Sequence, residues 1–115
     1  MELNDYQKEI SRFDLFQREE EMIELNFAFL DKVLGLSGES GEVADKIKKI
    51  IRDKEGKISD KDRKELSKEL GDVFWYLTTV ADYLGLHLEE IAKENIQKLE
   101  KRQLEGKISG SGDNR

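Results

Sequence analysis

Two short acidic steps carry the chemical potential of this chain: Glu39-Ser40-Gly41-Glu42 and Glu69-Leu70-Gly71-Asp72. Each is acid-x-x-acid, and residues three apart on an α-helix share a face, so each step aims two carboxylates in one direction. Two such helices packed antiparallel bring four carboxylates together. Like charges at that spacing repel strongly where the effective dielectric is low, so the cluster makes physical sense when cations neutralise it. Hard oxygen ligands that leave positions for water suit Mg²⁺, with Mn²⁺ able to take its place.

The acids therefore need two helices, and the composition supplies them. The chain has no proline, 40% charged residues and glycines confined mostly to a few spots, which is the make-up of an all-α protein. At 115 residues it is long enough for one domain with its own core. There is no cysteine, so disulfides and thiolate zinc sites are excluded and a reducing, cytoplasmic setting is expected. No leader-like segment and no apolar run of membrane-spanning length is present. Acids outnumber bases 26 to 20 and are mixed along the chain, which argues against nucleic-acid or anionic-membrane partners.

Periodicity predicts about four helices and a tail. Leu3, Tyr6, Ile10 and Phe13 mark a first helix, capped by Asn4 or Asp5 and ending near Phe16. A second runs from about Arg18 to about Asp53. Phe16, Ile23, Phe27, Leu30 and Leu34 form one apolar stripe on it, and Met22, Leu25, Phe29 and Val33 form another, which one hairpin cannot cover and which predicts a second subunit. Gly35, Gly38 and Gly41 lie within this helix, where the missing side chains leave room for a neighbouring helix or substrate. Val43, Ile47, Ile50 and Ile51 continue the stripe, and the turn falls at 54–57.

A third helix, about Asp60 to Tyr83 with Ser59 or Asp60 as cap, places Leu66, Leu70, Val73, Leu77, Val80 and Leu84 inward and Trp75 outward. In each of the two long helices the first acid falls about 80° and the second about 140° from the stripe's centre, so both pairs sit at the same edge of the core. Gly85 closes the third helix. A fourth, from about Leu88 to Leu104, turns Leu88, Ile91, Ile96 and Leu99 inward. His87 starts it as a surface or capping residue. Residues 1–105 form one domain, and 106–115 read as a flexible tail unless a ligand orders them.

With these motifs in view, the chain resembles the MazG-like nucleotide pyrophosphohydrolases, the all-α superfamily that also holds dimeric dUTPases and dCTP pyrophosphatases. The resemblance runs from about Asn4 to Arg102 and rests on Gly38-Glu39-Ser40-Gly41-Glu42, on 69–77 beginning Glu69-Leu70-Gly71-Asp72, and on Asn95, Lys98 and Arg102. It implies that Glu39, Glu42, Glu69 and Asp72 hold Mg²⁺ against a nucleoside triphosphate, with Glu39 and Glu42 closest to the catalytic role. Lys46, Lys49, Asn95, Lys98 and Arg102 are the corresponding candidates for the phosphates. It also implies a homodimer or homotetramer, and attack at the α-phosphorus to give a monophosphate and pyrophosphate. Gly38 stands where the family often has a further glutamate.

Duller readings compete with each assignment. Either acidic step alone reads as a solvated face, with Glu42 and Lys46 as an ordinary i,i+4 pair. Two steps at matching edges outweigh that reading. Lys46, Lys48 and Lys49 read first as a solvating charge run, and Trp75 as packing. A non-catalytic oligomerisation or regulatory module is the alternative function. A di-iron bundle fails, because Leu84 rather than a glutamate stands three before His87.

Overall fold

The computed structural model describes residues 1–15 and 26–114. It is all-α: α1 (Leu3–Ile10), a 3₁₀ turn (Ser11–Phe13), α2 (Phe27–Lys54), α3 (Asp60–Tyr83) and α4 (Leu88–Leu104). Among the described residues no helix is long and apolar enough to cross a membrane. Phe16, Met22, Ile23 and Leu25 of the expected stripes lie outside the described residues.

The helix ends follow local chemistry. α1 is shorter than the spacing predicts and is capped earlier. Glu2 is its N-cap, with the Glu2 N–H donating to Asp5 Oδ2 at 3.3 Å, so Asp5 supports the cap from the third helical position. The α-helix stops at Ile10, and by Asp14 the backbone is extended. Asp14 is drawn away by long-range partners: its carboxylate accepts from Tyr83 Oη and pairs with Lys32 Nζ at 2.9 Å. α2 begins at Phe27 rather than near Arg18: Asn26 is extended and accepts from the Phe29 N–H at 2.9 Å as its N-cap.

From Asn26 onward the pattern is followed closely. α2 continues unbroken through Gly35, Gly38 and Gly41, ends at Glu55 and Gly56 in left-handed backbone, and returns as α3 at Ser59. Ser59 Oγ accepts from the Asp62 N–H at 3.1 Å, and Asp62 in turn accepts from the Ser59 N–H at 3.0 Å and from Lys54 Nζ at 2.7 Å. Lys54 first, and then the reciprocal cap with Ser59, hold the Asp62 carboxyl at about 2. Since that value lies below the ordinary one, its stabilising effect is complete above the usual aspartate range and is lost as pH falls through about 2.

The α2–α3 hairpin is the main packing unit. Among its glycines the close approach is at Gly35, where a Cβ would lie 2.1 Å from the Tyr76 ring, whereas one at Gly38, Gly41 or Gly71 meets nothing within 4 Å. The helix-neighbour role expected of the glycines thus falls to Gly35. Gly35→Ala is expected to destabilise the chain by about 1–3 kcal/mol through overpacking, while Gly38→Ala gains up to about 1 kcal/mol of helix propensity. Urea unfolding of both variants checks the contrast; equal stabilities would contradict the close approach.

The buried face of α3 differs from the predicted stripe. Thr78, Thr79, Ala81 and Tyr83 are its buried residues, while Leu70 and Leu77 of the predicted stripe are exposed. Trp75 is not outward as expected. It is half-buried, edge-on to Tyr76 at 4.9 Å between centroids, with its indole N–H buried and unpartnered among the described residues.

α1 and α4 are bound at one end of the hairpin by Gln7. The buried Gln7 side chain donates to the Leu86 carbonyl at 2.7 Å and accepts from the Leu88 N–H at 2.9 Å, closing the α3–α4 turn. Tyr6 stacks on Phe74 at 4.7 Å. α4 packs chiefly on α1 rather than on the hairpin. For that reason only Leu88 of its expected inward set is buried, and Ile91, Ile96 and Leu99 remain exposed.

Candidate metal centre

Glu39 comes from the middle of α2, and Glu69 and Asp72 from the facing stretch of α3. Each contributes a carboxylate oxygen, and the three oxygens lie within 4.8 Å of one another. Octahedral Mg²⁺ with ligands at about 2.1 Å spaces its oxygens about 3–4.2 Å apart, so the three reach one ion with a small inward adjustment. The donor set is all-oxygen and half-open to solvent, which fits a hard cation that keeps water.

The electrostatics agree with that fit. Glu39 is pushed above the usual carboxylate range, first by burial and then by the charges of Asp72, Glu69 and Glu42. An acid raised in this way destabilises the fold as pH rises through its ordinary range, and three carboxylates against the single ammonium of Lys46 leave a net repulsion in the metal-free chain. A bound divalent ion removes that cost. Mg²⁺ at ten times its Kd is expected to stabilise the chain by about 1.4 kcal/mol, several degrees in Tm. Glu39→Gln should raise the metal-free Tm at pH 7 and abolish the Mg²⁺ increment. Thermal scans with and without Mg²⁺ check both, and an unchanged increment in Glu39→Gln would exclude it as a ligand.

Glu42, one turn along α2, is exposed and stands outside the group of three, although its charge reaches Glu39. Lys46 lies at the edge of the cluster, its Nζ 3.5 Å from Glu69 Oε1. Lys49 is turned to Asp45 at 2.6 Å. Both lysines line a groove of about 180 Å³ toward the α2–α3 turn, together with Asp53, Lys54, Asp62 and Glu65. Small-molecule sites run from about 300 Å³ upward, so this groove alone does not house a nucleotide.

The remaining candidates belong to α4. Asn95 is exposed. Lys98 and Arg102 direct their charge to Asp113 in the tail: Lys98 Nζ is 2.7 Å and Arg102 Nη2 3.1 Å from Asp113 Oδ1, and Arg102 Nη2 also donates to the Asp113 carbonyl at 2.6 Å. Within one chain the structure therefore brings Glu39, Glu69 and Asp72 together with Lys46 beside them, and engages Lys98 and Arg102 elsewhere.

Three polar residues escaped the sequence reading. Lys32 is only 2% exposed and pairs with Asp14 and, at 2.8 Å, with Asp31. Gln7 and Asp14 are its counterparts in the α1 region. A polar residue at an apolar register position is a weak signal, and nothing local names its distant partner.

Comparison with known proteins bears on this geometry. The MazG nucleotide pyrophosphohydrolase domain matches residues 28–105. The chain is also 49% identical over 82 residues to the Gene 37 protein of Mycobacterium phage L5, covering 71% of this chain and 72% of the relative, whose name states no activity. No solved structure matches it. The matched region contains α3, α4, nearly all of α2 and every candidate site residue, while α1 lies outside it.

Proposed function

From the premise that the chain belongs to the MazG nucleotide pyrophosphohydrolase family, we propose that it is a Mg²⁺-dependent nucleoside triphosphate pyrophosphohydrolase. It cleaves the α–β bond to release nucleoside monophosphate and pyrophosphate, for nucleotide-pool control or housecleaning in the cytoplasm. The observation that carries this reading is the convergence of Glu39, Glu69 and Asp72 oxygens within 4.8 Å across the α2–α3 hairpin.

Glu39, Glu69 and Asp72 hold Mg²⁺, and Mn²⁺ can replace it. The bound ion supplies charge neutralisation for the triphosphate and a lowered pKa for the attacking water. Glu42, which is outside the ligand group and open to solvent, takes the water's proton in this reading. Lys46, now 3.5 Å from Glu69 Oε1, would turn to a phosphate oxygen with Mg²⁺ bound to the acids. Asn95, Lys98 and Arg102 act on the phosphates once a site is assembled around them.

That assembly is between copies of the chain, as a homodimer or homotetramer. The accessible surface is 8979 Å², against roughly 6,500 Å² for a compact monomer of this mass. The radius of gyration is 17.1 Å, where about 13 Å is usual. Phe27 is 85% exposed and Leu70 56%, so both sides of the hairpin carry uncovered apolar surface. Light scattering at micromolar concentration should give two or four times 13.4 kDa, and a monomer would contradict the assembly.

Turnover of a panel of canonical and altered nucleoside triphosphates tests the activity itself. Hydrolysis that requires Mg²⁺ and stops with EDTA is the expected result. Absence of turnover across the panel in an assembled protein would favour a non-catalytic helical module, the reading to which the exposed apolar faces also lend themselves.

A further inference from the structure

The segment after α4 folds back on it. Gly106 takes left-handed backbone, the Lys107 N–H donates to the Arg102 carbonyl at 2.6 Å, and the chain returns so that Asp113 meets Lys98 and Arg102. Arg102 is 93% buried by the complement of its 7% exposure, and its Nε is buried with no hydrogen-bond partner among the described residues. A guanidinium so enclosed needs an anion, and its fork of donors suits the oxygens of a phosphate better than the one carboxylate oxygen and the backbone carbonyl that Nη2 now meets. The ammonium of Lys98 lies on that same oxygen. Two cations from successive turns of α4 thus converge on one anionic group, and the unused Nε marks donor capacity beyond what Asp113 takes up.

Taking Lys98 and Arg102 as the phosphate-binding pair named above, we propose that residues 106–114 are a strap whose Asp113 carboxylate occupies this pair until phosphate displaces it. The proposal rests on the reading of the chain as a triphosphate hydrolase only for the identity of the anion. The strap competes by charge and shape: Asp113 offers one negative charge on an exposed segment, whereas a di- or triphosphate offers several charges and more acceptor oxygens. Its side-chain contacts hold the Asp113 carboxyl below the usual range, so the strap is charged and engaged throughout the neutral range. Because Asp113 is displaced rather than consumed, its removal is expected to act on affinity and to leave the chemical step alone.

The test uses the full chain and inorganic pyrophosphate in metal-free buffer at matched ionic strength, followed by calorimetry. D113N is expected to bind pyrophosphate at least ~5-fold more tightly than the parent chain, and adding K98A to D113N should remove that gain. Equal affinity in parent and D113N, or no binding by either, overturns the proposal. Amide hydrogen exchange of the parent chain gives a readout free of any folding defect in the variants. Pyrophosphate should accelerate exchange across 108–113, and bound pyrophosphate with unchanged exchange there also overturns it. In turnover assays D113N should lower KM by a similar factor at constant kcat. A hydrolase whose KM ignores D113N refutes the strap and leaves the activity standing. A D113N gain in pyrophosphate affinity in a chain that hydrolyses no nucleotide refutes the activity and leaves the strap standing.

Discussion

Replacing Glu69 or Asp72 by alanine is expected to lower Mg²⁺-dependent turnover by at least ~10²-fold, equivalent to about 2.7 kcal/mol of transition-state stabilisation. Each change removes one of three anionic oxygens from a group in which the others cannot compensate, since α2 offers only Glu39 at that point and Glu42 stands outside the 4.8 Å group. Glu39→Ala should behave in the same way. The fold should survive, because removing a carboxylate relieves repulsion in the metal-free chain. Glu42→Ala separates holding the ion from moving the proton: turnover should fall comparably while the Mg²⁺-induced rise in Tm is kept. Steady-state kinetics beside thermal scans distinguish the two classes, and full activity in Glu42→Ala would remove that residue from the site.

The largest effect on stability is expected away from the acids, at Lys32. Its ammonium is almost fully enclosed and meets Asp14 at 2.9 Å and Asp31 at 2.8 Å, while the ring of Tyr83 lies 5.8 Å away and the Tyr83 hydroxyl donates to Asp14. Burial alone would lower the Lys32 pKa, but the hydrogen bonds of Asp31 and Asp14 outweigh it and leave the group raised and charged. A lysine raised in this way stabilises the fold below its ordinary value, and that contribution disappears only as pH climbs through the raised one. Lys32→Ala removes the cation of a buried ion pair and is expected to cost about 3–5 kcal/mol. Urea unfolding at pH 7 measures it. A loss under about 1 kcal/mol would mean that the network is solvated rather than buried.

These two regions were unequally legible in the sequence. The α2–α3 hairpin could be read because its signals are local: a glycine-bearing turn at 55–56, a Ser59 cap with Asp62 three residues on, and apolar periodicity that put Glu39 and Glu69 at corresponding edges. The α3–α4 and α4–tail boundaries were marked in the same way by Gly85 and Gly106. What could not be read depends on partners far along the chain. Asp14 leaves the helical path to reach Lys32 and Tyr83, Gln7 ties α1 to the Leu86–Leu88 turn, Tyr76 lies against Gly35, and on α3 the Trp75 indole N–H is buried while Leu70 is exposed. Periodicity names a face but not the neighbour that will cover it. For the site, it supplied the carboxylates and left open how many would converge; side-chain reach joined three and left Glu42 outside. The residues of α4 were named through family resemblance, and their engagement by Asp113 has no periodic signature at all.

The central claim is that this acidic hairpin, with Mg²⁺, directs water to the α-phosphorus of a nucleoside triphosphate. Phosphorus NMR of a reaction run in ¹⁸O-enriched water, using the best substrate from the panel, tests it most directly. The account predicts pyrophosphate as the first inorganic product and one ¹⁸O in the nucleoside monophosphate, seen as an upfield-shifted monophosphate resonance. Nucleoside diphosphate with labelled orthophosphate as the initial products, or label carried by the pyrophosphate, would contradict it.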